Sequence, residues 1–252
     1  MSSLSRSNAA DPAPDARNCA PLAPPTADDR PDEPPRRSPW ADLQVRWLGA
    51  LAVQDAIAEN LAVSAAVSQG QAPQLLLFEP IAPVYTLGLR AQTPAGRDSL
   101  LQTLAFCRSR GVDILDVERG GLGTLHAPGQ LVVFCAVPAH RTELRRIVAR
   151  LLETAAQIAV PLGLEARADL ERDVGLWSPR GKLASLGLWH AQGVVRHGMS
   201  LNLHVDLSLT PGLVLCGSQQ TRLANLGDAP GAREMPVREL AAQFSQLALL
   251  WP

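Results

Sequence analysis

The chain of 252 residues reads as an α+β protein. Two observations predict this class. Short apolar runs of strand length are scattered from end to end, while a few longer segments show helical spacing. The two kinds do not alternate strictly, which separates the pattern from a doubly wound parallel sheet.

Taken in order, residues 43–49 alternate like a strand, and residues 53–68 space Ala, Ile, Leu and Val as a helix does. Residues 74–78 and 84–87 are apolar runs split by a Pro-containing turn, which predicts two strands. Residues 99–109 read as a helix that Gly111 terminates. Residues 112–117 and 131–137 read as strands flanking a glycine-rich loop at 119–130. A long amphipathic helix is expected over 144–162, broken late by Pro161. Strand-like runs fill 164–205, and a last helix covers 237–250. Residues 1–40 hold nine of the 21 prolines. They cannot bury enough apolar surface to offset ordering, so a disordered tail is expected there, with one catalytic domain over 41–252.

Composition excludes several classes. Apolar residues make up 46% and charged residues 19%, with a net charge of −1, so no field steers nucleic acid or anionic lipid. No run of 18 uncharged apolar residues predicts a membrane span. The N-terminus has no apolar signal segment and mixes Asp and Glu with its Arg, which predicts a cytoplasmic location. Cys19, Cys107, Cys135 and Cys216 are widely and irregularly spaced, indicating neither a zinc site nor a disulfide framework. Lysine is nearly absent: of 23 basic residues only Lys182 is not Arg. Arginine stays protonated in proteins, so a lone lysine is a candidate for work that requires a proton to leave. The same residue is also consistent with one arbitrary survivor of a compositional bias.

Four segments can carry chemistry. In Arg119-Gly-Gly-Leu-Gly-Thr-Leu-His126-Ala-Pro-Gly-Gln130, three closely spaced glycines let backbone approach a ligand, with a cation and an imidazole at the two ends. A tight structural connection reads the same way, and the spacing fits neither the dinucleotide fingerprint nor the P-loop. Lys182, in Arg180-Gly-Lys-Leu-Ala-Ser185-Leu-Gly187, begins a strand after a turn, where a side chain faces either solvent or a cleft. In His197-Gly-Met-Ser-Leu-Asn202-Leu203, alternation sets Asn202 opposite Leu201 and Leu203. Finally, Cys216-Gly-Ser218 ends an apolar run, which suits either an exposed thiol or a buried strand end. A thiolate needs a nearby cation and a base, and a lysine amine supplies both.

Together and in this order, RGGLGTLHAPGQ, GKLASLG, HGMSLN and LCG resemble the lipoyl(octanoyl) transferases, whose pattern runs RGGxxTYHGPGQ, GxKI, HGxALN and PCG. Leu75-Leu-Leu-Phe78 and Pro83-Val-Tyr-Thr-Leu-Gly88 resemble the family's early strand and its VYTxG segment. The resemblance implies a biotin–lipoate protein ligase fold, with a central mixed sheet flanked by helices. It implies that octanoyl passes from octanoyl-acyl carrier protein to Cys216 as a thioester. From there it would reach a lysine of the lipoyl domains of 2-oxoacid dehydrogenases or of a glycine-cleavage protein. Lys182 matches the family's lysine. The substrate pocket would comprise Arg119, Gly120, Gly121, Leu122, Gly123, Thr124, Leu125 and His126, then Ser185, Leu186 and Gly187, then Gly198, Met199 and Ser200. No metal or other cofactor is implied, and no nucleic acid or membrane partner.

Leu125, Ala127 and Leu215 depart from the pattern, and the histidine of the family's EHPPVYT stretch has no counterpart after Glu79. The resemblance also leaves two rivals open: an ATP-dependent lipoate ligase, and a non-catalytic homologue that binds acylated carrier domains.

Overall fold

The computed structural model describes residues 38, 40–171, 173–215 and 221–252. Cys216, and the expected tail apart from Ser38 and Trp40, lie outside them. Trp40, placed at the end of the tail by the sequence, is instead buried, its ring edge-on to Trp251 at 4.6 Å.

Among the described residues, ten strands form two sheets. The larger contains β1 (Gln44–Leu51), β2 (Gln74–Pro80), β6 (Gln130–Pro138), β10 (Val194–Asn202), β9 (Gly181–Ala191), β8 (Gly175–Ser178) and β7 (Arg167–Asp169), side by side in that order. Only the β1–β2 pair is parallel. The smaller sheet places β3 (Val84–Leu87) between β4 (Asp113–Asp116), which is parallel to it, and β5 (Gly123–His126), which is antiparallel. The expected mixed sheet is therefore present, accompanied by a second one.

Helices cover both faces of the larger sheet. Strands β2 and β6 are apolar at nearly every position because both of their faces are covered. Leu75, Leu77, Leu131 and Val133 pack with Ile147 and Leu151 of α4 (Leu144–Ala159) and Leu240 and Phe244 of α5 (Val237–Ala248). Leu76, Phe78, Val132 and Phe134 pack with Val53, Ala56 and Val63 of α1 (Val53–Ser68). Each of the larger of these side chains contributes about 1.5–3 kcal/mol by leaving water. No helix among the described residues is long and apolar enough to cross a membrane.

Two expected elements differ. The 99–109 helix is present as α3 (Leu101–Ser109), and an unforeseen short helix, α2 (Pro94–Asp98), precedes it. The 119–130 stretch is not one loop: residues 123–126 pair with β3, Tyr85 opposite Leu125 and Thr86 opposite Thr124. The three glycines hid a four-residue strand whose alternation sends Thr124 and His126 to one side and Leu125 to the other.

Candidate active site

A cavity of about 320 Å³ opens between α1, the 117–126 stretch and the centre of the larger sheet. It collects three of the four segments singled out in the sequence. Arg119, Gly121, Leu122, Gly123, Thr124, His126, Lys182, Ser185, Leu186, Gly187, Gly198, Met199 and Ser200 all line it. Gly120 and Leu125 do not. Gly120 donates its N–H to the Leu188 carbonyl, and Leu125 packs with Tyr85 and Leu104 in a separate cluster.

Lys182 is 1% exposed. A buried ammonium is costly without partners. Its Nζ lies 2.8 Å from Asp173 Oδ1 and 5.0 Å from the centre of the Trp177 ring. The side chain passes over Gly175, where a Cβ would stand 2.3 Å from Lys182 Cε. Residues 173, 175 and 177 thus act as a set, spaced two apart so that all meet the lysine. Sequence reasoning missed them, although the Asp-x-Gly-x-Trp spacing is visible nine to five residues before Lys182.

A buried chain of hydrogen bonds joins the glycine-rich segment to the lysine's backbone. Nδ1 of His126 lies 2.9 Å from Gln130 Oε1, and Gln130 Nε2 donates to Asn202 Oδ1 at 2.9 Å. Asn202 Nδ2 donates to the carbonyls of Lys182 (3.3 Å) and Ala224 (3.2 Å). Asn202 was read from the sequence only as facing away from Leu201 and Leu203, which join the helix-covered core. Its partners lie 20 to 72 residues away.

Arg119 is buried beside Thr86 of β3, donating to its hydroxyl from Nε and Nη2 and to its carbonyl from Nη2 at 2.6 Å. His197 holds a φ of +59°, unusual for a residue with a side chain. Asn60 supports this kink within β10: its Oδ1 accepts from the His197 N–H while its Nδ2 donates to the Cys135 carbonyl. Burial pushes His126 down to about 4, with the Arg119 cation adding to the effect and the Gln130 bond opposing it. Burial likewise pushes His197 down to about 4, helped by Arg196 and Arg119. At neutral pH the cavity therefore presents two uncharged imidazoles among apolar side chains such as Val53, Ile57, Leu186 and Met199. A few polar groups in an apolar cavity suit a small, mostly aliphatic ligand.

The chain on either side of residues 216–220 is firmly tied. Before it, the Tyr85 hydroxyl donates to the Val214 carbonyl, and the Thr103 hydroxyl bonds Gly212 O and Val214 N. After it, Lys182 N–H donates to Arg222 O and Ala224 N–H to Lys182 O, with Leu223 alongside Lys182 in parallel. Tyr85 Oη also abuts the cavity wall, where a Cβ on Gly123 would stand 1.9 Å from it. Cys107 and Cys135 are buried free thiols, and burial raises both, Cys135 to about 12. Neither suits nucleophilic work.

Comparison with known proteins agrees with this architecture. The Lipoyl protein ligase A/B catalytic domain matches residues 48–247, so the chain belongs to that family. Relatives within it include octanoyltransferases. The human mitochondrial octanoyl-[acyl-carrier-protein]:protein N-octanoyltransferase is 34% identical over 215 residues, 82% of this chain and 87% of that protein. An octanoyltransferase of Chloroflexus aurantiacus is 34% identical over 221 residues, covering 83% and 96%. The protein is an acyltransferase of the lipoyl(octanoyl) transferase group. The structure of lipoate-protein ligase A bound with ATP superposes with a TM-score of 0.62 at 17% identity, covering 81% of this chain and 82% of that one, which shows a shared fold.

Proposed function

We propose that the protein moves octanoyl from octanoyl-acyl carrier protein to a lysine of lipoyl domains, through a thioester on Cys216 with Lys182 as base. The lipoyl domains are those of 2-oxoacid dehydrogenases or of a glycine-cleavage protein, and the reaction is placed in the cytoplasm. The observation that carries this reading is the position of the chain's only lysine. It is buried at the wall of the apolar cavity and bonded to the backbone that follows the Cys216 segment. Cys216 is two residues beyond Val214, whose carbonyl is held by Tyr85 against that wall.

In the first step the neutral amine of Lys182 takes the thiol proton of Cys216 and becomes the ammonium that Asp173 pairs with. The thiolate attacks the octanoyl carbonyl, the bond to the carrier's sulfur breaks, and the carrier thiolate leaves with the proton from Lys182. In the second step the neutral amine of the acceptor lysine attacks the Cys216 thioester and displaces its sulfur. One amine proton passes through Lys182 to that sulfur, which restores the enzyme. The thioester supplies the driving force, so no nucleotide is needed.

Turnover with octanoyl-acyl carrier protein and a lipoyl domain, without ATP, tests the proposal. Transfer that is abolished in Cys216→Ser supports it. Transfer that requires ATP and survives Cys216→Ser favours a ligase, and binding without turnover favours a non-catalytic homologue.

A further inference from the structure

The hydrogen-bond chain from His126 to Lys182 has only one consistent direction, and that direction determines what His126 offers the cavity. Backbone carbonyls only accept. The Asn202 atom facing the carbonyls of Lys182 and Ala224 must therefore be its NH₂, and its oxygen faces Gln130. The Gln130 atom that meets this oxygen also lies 3.4 Å from the Leu125 carbonyl, so it too must be the NH₂. Gln130 consequently turns its oxygen to His126, and Nδ1 of His126 must carry a hydrogen. Burial keeps the ring neutral at pH 7, so it has only this one N–H. Nε2 is left as a bare acceptor with no hydrogen-bond partner among the described residues. It is also not among the sealed-off polar atoms, so it is open to the cavity that His126 lines.

We propose that His126 is a catalytic residue whose unprotonated Nε2 accepts a hydrogen bond from the attacking amine of the acceptor lysine. This rests on the acyl-transfer reading above. A bare acceptor cannot stabilise a developing oxyanion, and an aliphatic acyl chain has nothing to donate to it. Matching donors are the N–H of the acceptor amine, the amides of the carrier's pantetheine arm and, before acylation, the thiol of Cys216. The amine is favoured because the same Asn202 that orients His126 through Gln130 also grips the backbone of Lys182, the residue that receives the amine's proton. As the amine nitrogen bonds to the acyl carbon and the carbon–sulfur bond to Cys216 breaks, one hydrogen leaves through Lys182. The other stays in the new amide and remains held by Nε2. One amide side chain thus positions both groups that handle the two amine hydrogens.

Two measurements test this. In protein labelled with ¹⁵N-histidine, long-range proton–nitrogen spectra resolve five imidazoles, and His126→Asn identifies the signal of His126 by its loss. At pH 7 the expected pattern is protonated Nδ1 with bare Nε2. A protonated Nε2 overturns the proposal. In kinetics, His126→Asn keeps an N–H facing Gln130 but removes Nε2. Single-turnover transfer from octanoylated enzyme to a lipoyl domain should fall by roughly 10²-fold, as for loss of a proton-handling group. Formation of the Cys216 adduct from octanoyl-acyl carrier protein should fall far less than this transfer step. Equal loss in both steps overturns the proposal and assigns Nε2 to the pantetheine arm. Absence of any adduct on wild-type enzyme would instead sink the acyl-transfer reading, while the nitrogen spectrum still reports the tautomer.

Discussion

Asp173 and Lys182 form an ion pair between unequal partners: the lysine side chain is 1% exposed, the aspartate 41%, and Nζ lies 2.8 Å from Oδ1. The carboxylate keeps one face in water while it supports an ammonium that has almost none. Exposed pairs contribute up to about 1 kcal/mol, and breaking a fully buried one costs about 3–5 kcal/mol. Asp173→Asn should therefore lower stability by about 2 kcal/mol, read from urea unfolding. Asp173→Glu should recover part of the loss, and an unchanged midpoint for Asn would show that the pair contributes nothing.

Lys182→Arg separates charge from proton transfer. Arginine preserves the cation but does not deprotonate in proteins. Octanoyl transfer should drop by roughly 10²–10⁴-fold. A near-normal rate would mean that only the positive charge is used.

Acid should destabilise the fold through the cavity itself. His126 and His197 sit at about 4 when folded, against 6.5 for a free imidazole. As pH falls from 6.5 to 4 the unfolded chain takes up protons that these two folded rings refuse. Their contribution is complete above pH 6.5, declines through that window and levels off below 4. The upper bound is roughly 3 kcal/mol per ring. Unfolding midpoints at pH 7 and pH 5 should differ accordingly, and His197→Phe should remove its share of the difference.

Tyr85→Phe deletes the hydroxyl that holds the Val214 carbonyl. A buried carbonyl without a partner costs about 1–3 kcal/mol. The expected outcome is that loss of stability, together with slower alkylation or acylation of Cys216, since the chain leading to it is released. Stability loss without any change in Cys216 reactivity would limit Tyr85 to a packing role.

How much of this was visible in the sequence depended on the range of each interaction. The helix over 53–68 and the strand over 84–87 were readable because local spacing specifies them, and both have the expected ends. Strand β5 was hidden because the glycines at 120, 121 and 123 mimic a loop, and only pairing with β3 reveals it. Lys182 stood out by composition. Asp173 and Gly175 did not, because their significance lies across a strand pair rather than along the chain. The bonds from His126 through Gln130 to Asn202 were likewise invisible, since the Gln130–Asn202 step joins residues 72 apart.

The central claim is a thioester on Cys216, and mass spectrometry of the intact and digested protein after incubation with octanoyl-acyl carrier protein tests it directly. A single octanoyl adduct on the Cys216 peptide, absent from Cys216→Ser, is the predicted result. No adduct on the wild-type enzyme, or an equal adduct on Cys216→Ser, would contradict it.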